Sequence, residues 1–152
     1  MIMILNDVLT RQNVFTKIVL KDGDKELSKE LKVKIMRIRM AYTKIRKAFD
    51  EEVKEFTEEL VPQELKDLSA KSERTDAENA RMEELTNKVN IEYQEFLIQK
   101  GNEEVSVVDD SLTMDEYSDI LDINAGNDVE INGNKIAAVD FLEIIYDLFV
   151  KE

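Results

Sequence analysis

The 152-residue sequence has no cysteine, no histidine and no tryptophan, and only one proline and four glycines. Missing histidine and cysteine exclude zinc fingers, a histidine general base, a thiol nucleophile, a disulfide framework and the usual haem and iron–sulfur ligands. A di-iron carboxylate bundle, which needs histidine three residues after glutamate, is excluded with them. Few breakers mean few turns. No apolar run approaches the roughly 20 residues that span a bilayer. Met1-Ile2-Met3-Ile4-Leu5 is apolar but short, lacks a basic flank and is followed by Asn6-Asp7, so it does not read as a signal peptide. A cytoplasmic protein without membrane contact is expected.

What is present is charge. Charged residues make up 36% of the chain and apolar residues 43%. That excess of charge over the usual quarter favours long exposed helices. The net charge of −13 is unevenly spread: residues 1–47 carry +7, residues 48–101 carry −8 and residues 102–152 carry −12. Such asymmetry bears on association and orientation.

The strongest pattern runs from Ser28 to Val61. Ile35, Ile38, Tyr42, Ile45, Phe49, Val53, Phe56 and Leu60 recur at helical steps. Ser28 is the expected N-cap and Pro62 the stop. A second helix is expected from Asp76 to Lys100, capped by Thr75, with Met82, Leu85, Val89, Tyr93 and Phe96 inward and Gly101-Asn102 as its end. Gln63 to Thr75, polar and weakly patterned, joins the two. Consecutive long amphipathic helices most simply fold back as an antiparallel hairpin.

Asn6 to Lys21 reads as a short helix, with a competing strand at Ile18-Val19-Leu20 turning at Asp22-Gly23. After residue 102, Glu104 to Val108 is β-rich and Thr113 to Glu116 is a capping box for a helix through Leu121. Val129-Glu130-Ile131, Asn132-Gly133 and Asn134-Lys135-Ile136 form a type I′ hairpin signature. Ala137 to Val150 closes the chain as a helix. The hairpin must pack on the helices or pair with Val105–Val108. The expected fold is mainly α, with some β. An N-terminal helix and turn (1–27) precedes a coiled-coil-like long-helix hairpin (28–101) and a small acidic α+β module (102–152).

This order of elements resembles a group of small proteins encoded by tailed bacteriophages and prophages. The likeness rests on Leu31 to Met36 leading into Tyr42 to Glu52, and in style on Asp140 to Tyr146. It implies a phage context, with the host cytoplasm as location, and a role in assembly or host interaction. It implies no catalytic residue.

The chemistry the residues offer is carboxylate chemistry. Asp122 to Asp128 superficially resembles a calcium loop, but from Asp122 the fifth, sixth and twelfth positions are Gly126, Asn127 and Gly133, where ligand, glycine and glutamate are required. Asp109, Asp110, Asp115, Asp119 and Asp122 are the only dense acidic set. They read as a solvated acidic surface, because no phosphate-binding loop accompanies them. The six serines fall at caps or strand positions, without a nucleophile elbow. The expectation is a protein without catalytic residues, metal or cofactor.

The basic stretch Lys32 to Arg39, with Lys44, Arg46 and Lys47, reads as neutralising acidic residues of this chain or of a second copy. Nucleic acid would be repelled by the acidic remainder. Met36, Met40, Ile91 and Ile98 lie off the main stripes and are candidate contacts for a protein partner, another protein or a second copy. The expected function is an accessory protein acting by protein–protein interaction. The alternative is an acidic mimic of DNA that inhibits a host nucleic-acid enzyme or defence system.

Overall fold

The computed structural model describes residues 1–151. In chain order its elements are β1 (Ile2–Ile4), α1 (Leu5–Phe15), β2 (Lys21–Asp22), β3 (Lys25–Glu26), α2 (Lys29–Leu60), α3 (Gln63–Ala70), α4 (Asp76–Gly101), β4 (Glu104–Ser106), α5 (Met114–Asn124), β5 (Val129–Ile131), β6 (Asn134–Ile136) and α6 (Ala138–Phe149). The fold is mainly α, and the three sheets among the described residues are two-stranded and antiparallel.

Local signals set most boundaries. Ser28 caps α2, its hydroxyl accepting from the Leu31 N–H at 3.2 Å. Thr75 and Glu78 close a reciprocal capping box on α4, and Thr113 and Glu116 do the same on α5. Asn132 and Gly133 take φ of 52° and 79°, the left-handed pair that a type I′ turn requires.

The chain divides into two compact units. The first joins Met1–Ile45 to the segment from Glu104 onward, and the second is Arg46–Glu103. Residues 1–27 and 104–151 therefore share one core with the first half of α2. Its centre is Val8, Phe15, Ile35, Ile120, Phe141 and Ile145, all fully buried. Phe15 meets Phe149 edge-on at 5.0 Å and Tyr42 at 6.4 Å between ring centroids. Buried aromatic pairs in this geometry add to plain apolar burial.

One expectation within this unit needs correction. Helix α1 stops at Phe15 instead of reaching Lys21. Beyond it the Val19 N–H donates to Asn124 Oδ1 at 2.8 Å, and Asn124 Nδ2 donates to the Val19 carbonyl at 3.1 Å. The Arg39 guanidinium takes the carbonyls of Phe15 and Ile18. These groups are then spent on tertiary partners and unavailable to a helix. The turn at Asp22-Gly23 is realised, with Gly23 at φ 61° between β2 and β3, but the strand before it is Lys21–Asp22 and not Ile18-Val19-Leu20. Strand β4 pairs with β1, matching Met3 to Val105, so Ile2–Ile4 of the N-terminal apolar run form a strand. The β5–β6 hairpin packs on the core through Val129, Ile131 and Ile136.

In the second unit, α2 from Arg46 onward and α4 form an antiparallel hairpin. Phe56 stacks on Phe96 at 4.0 Å, and Glu52 pairs with Lys100 at 2.6 Å. The connection contains α3, whose Leu65 and Leu68 are buried with Leu85 against Val61, Met82 and Val89. Arg81 grips Glu64 through two nitrogens at 2.8 and 3.0 Å. The remaining stripe, Phe49, Val53, Phe56 and Leu60, is only half-buried.

Candidate protein-binding surface

Helix α2 buries Leu31, Ile35, Ile38 and Tyr42. Its opposite face, at the same helical spacing, carries Val33, Met36 and Met40, which are 46%, 52% and 71% exposed. These three large apolar side chains are grouped on one exposed face and are not scattered singly. A cleft of about 370 Å³ lies between Val33, Met36, Arg37 and Met40. Val33 and Arg37 also line a neighbouring groove of about 660 Å³, closed on its far side by Val108 and Asp109.

The groove's charged lining is mixed: Lys29, Lys34 and Arg37 share it with Glu30 and Asp109. Lys34 is held by Glu116 of α5 at 2.7 Å. Burial would raise the Glu116 carboxyl, but the Lys34 ammonium and the Thr113 N–H outweigh it and hold the group below its ordinary value. Lys29 and Arg37 make no ion pair among the described residues. The surface thus offers apolar contact flanked by Lys29 and Arg37, with Glu30 and Asp109 in the same lining.

The structure separates the five acidic candidates. Asp109, Asp115, Asp119 and Asp122 are exposed. Asp109 accepts from the Ser111 hydroxyl and N–H at 2.6 and 3.0 Å, which lowers its pKa. Asp122 meets Lys25 at 3.3 Å. Asp110 is not surface: it is 1% exposed, takes Arg11 Nη1 at 2.7 Å and accepts from the Tyr42 hydroxyl. Only an ion pair plus a hydrogen bond makes a carboxylate tolerable at that depth. Burial first, and the adjacent carboxylate second, push the Tyr42 phenol well above its ordinary value. The Arg11 guanidinium sits over the Phe149 ring at 5.3 Å. Among the described residues no three acidic side chains are placed to hold a metal ion.

Met36 and Met40 come together at the α2 cleft. Ile91 and Ile98, 59% and 63% exposed, occupy one face of α4 in the other unit. Val33, Arg37 and Val108 were not singled out from sequence as contacts. The spacing of Val33, Met36 and Met40 carries a signal for the first of these, but nothing local places Val108 beside α2. Within the basic stretch, Lys32 pairs with Glu26 and Lys34 with Glu116, so part of it is neutralised by this chain itself. No helix among the described residues is long and apolar enough to cross a membrane. Comparison with protein-family models, curated proteins and solved structures finds no match.

Proposed function

We propose that this chain is a non-catalytic accessory protein that works by binding another protein chain through the exposed face of α2. The observation that carries the reading is the grouping of Val33, Met36 and Met40 on one face, with unpaired Arg37 among them. Apolar side chains this exposed gain by being covered, roughly 25 cal/mol per Å² removed from water. The likeness of Val33 to Glu52 to small phage proteins supports an accessory role. The acidic DNA mimic draws less support. Asp110 is withdrawn into the core and Asp122 is paired with Lys25, so the charge array is thinner than the sequence implies.

The test is a photo-crosslinking residue at Met40, with one at equally exposed Val139 as control, both 71% exposed. A protein adduct at Met40 and not at Val139, whether to the same chain or another, is the expected result. Equal or absent adducts at both positions overturn the reading.

A further inference from the structure

Asn132 is the only asparagine of the sequence that precedes a glycine. Asn132 and Gly133 form the two-residue turn between β5 and β6, with Ile131 opposite Asn134. Both are exposed, and neither the Asn132 carboxamide nor the Gly133 N–H has a hydrogen-bond partner among the described residues. No side chain or backbone shields the Gly133 Cα on its open side within 4 Å. Such a pair reacts with itself. The Gly133 nitrogen, its proton lost to solvent, attacks the Asn132 side-chain carbonyl carbon, and no glycine Cβ obstructs the approach. The new C–N bond closes a five-membered imide, and the side-chain nitrogen leaves as ammonia. Water then opens the imide at one carbonyl or the other. One product is aspartate on the normal main chain. The other is isoaspartate, whose main chain is one carbon longer. Water enters and ammonia leaves, with no oxidant or reductant.

The fold governs when this happens. Asn132 is left-handed, with φ of 52°. That conformation sets a side chain and the next backbone nitrogen on opposite sides of the Cα–C bond, so the imide cannot close while the turn stands. The hairpin that holds the turn is small, three residues in each strand. Alone it would be marginal. It is held on the core by half-buried Val129, Ile131 and Ile136. Asp128 clasps its base, accepting from the Ala138 N–H at 3.1 Å and meeting Lys135 at 3.8 Å. We infer that Asn132-Gly133 is a site of spontaneous deamidation gated by opening of the β5–β6 hairpin, and that the isoaspartate product keeps the hairpin from re-forming. An extra main-chain carbon in a two-residue loop breaks the Ile131–Asn134 register on which the hairpin depends.

Peptide mass mapping of the full chain, incubated at mildly alkaline pH, tests it. The mass gain of water for ammonia should appear at Asn132 before any other asparagine, with both products present. Conversion in the folded chain should run at least about 10-fold slower than in the guanidinium-denatured chain, because ring closure waits on a local opening. Asp128→Ala releases the clasp and should speed conversion about 5-fold, with circular dichroism unchanged. Asn132→Asp keeps the normal main chain and a residue that tolerates the left-handed conformation. It should retain amide protection at Ile131 and Ile136, which the isoaspartate fraction should lose. No conversion at Asn132, folded or denatured, overturns the site. Equal rates in the folded and denatured chain overturn the gate, as does a folded Asp128→Ala variant that converts like the wild type. Unchanged protection in the isoaspartate fraction overturns its effect on the hairpin. Should Asp128→Ala fail to fold, the comparison of folded with denatured wild type decides the gate alone.

Discussion

Arg11 donates to the buried Asp110 carboxylate at 2.7 Å across 99 residues of sequence. That one contact fastens the loop after β4 to α1, and the Tyr42 hydroxyl on the same carboxylate fastens it to α2. The loop also supplies Val108 and Asp109, the far wall of the groove, so the groove's shape depends on a core ion pair.

Asp110→Ala leaves Arg11 without its carboxylate and the Tyr42 hydroxyl without an acceptor. Removing one partner of a buried pair costs about 3–5 kcal/mol. Asp109→Ala, at an exposed carboxylate one residue away, should cost no more than about 1 kcal/mol. Urea denaturation of the two variants is expected to separate them clearly. Equal midpoints would show that the Asp110 network contributes nothing.

Asn124 makes three hydrogen bonds: its Oδ1 accepts from the Val19 N–H at 2.8 Å, and its Nδ2 donates to the carbonyls of Val19 at 3.1 Å and Ile120 at 2.8 Å. Asn124→Leu keeps the number and branching of side-chain heavy atoms but strips the Val19 backbone of its partners. A loss of about 1–3 kcal/mol is expected. Amide exchange at Val19 should accelerate more than exchange at Ile35, deep in the same core.

The two capping boxes lie in different units. Thr75→Ala on α4 and Thr113→Ala on α5 should each cost about 1 kcal/mol. Residue-resolved hydrogen exchange should place the first loss in Arg46–Glu103 and the second in the unit built on α1, α5 and α6. A uniform loss over both units would contradict this.

Acid should weaken the first unit through Glu116. Its folded carboxyl lies below the ordinary value of 4.5, with Lys34 and Thr113 outweighing the opposing effect of burial. A lowered folded pKa stabilises above the unfolded value, and that contribution is lost as pH falls through the folded value. Glu116→Gln should remove roughly 1 kcal/mol at neutral pH and make the acid limb of a stability–pH curve shallower. The carboxyls of Glu26, Glu64 and Glu78 are lowered by Lys32, Arg81 and Lys71, so they act in the same direction. An unchanged acid limb in the variant would remove Glu116 from this account.

Much of the fold is legible because its signals are short-range. The steps of Ile35, Ile38 and Tyr42 announce a buried helix face, Thr113 and Glu116 announce a helix start, and Asn132-Gly133 announces a turn. Each is physics within a few residues: side-chain direction on a helix, an unsatisfied N–H, a permitted left-handed backbone. The exposed Met36 and Met40 are legible for the same reason, since they stand off the stripe that the core claims.

The rest depends on partners far away in sequence. The end of α1 is decided by Asn124 and Arg39, which take the backbone groups a longer helix would need. The N-terminal apolar run becomes a strand because Glu104–Ser106 lies beside it to accept the pairing. Spacing cannot tell Asp109 from Asp110, because a carboxylate's burial depends on whether a cation and a donor meet it there. The sequence by itself determined helices α2, α4, α5 and α6, the caps at Ser28, Thr75 and Thr113, the hairpin turn and the lopsided charge, all properties of neighbouring residues. Only tertiary structure decided which acid is core, which strands pair and which cations of α2 remain unpaired, because each depends on groups that folding alone brings within hydrogen-bonding distance.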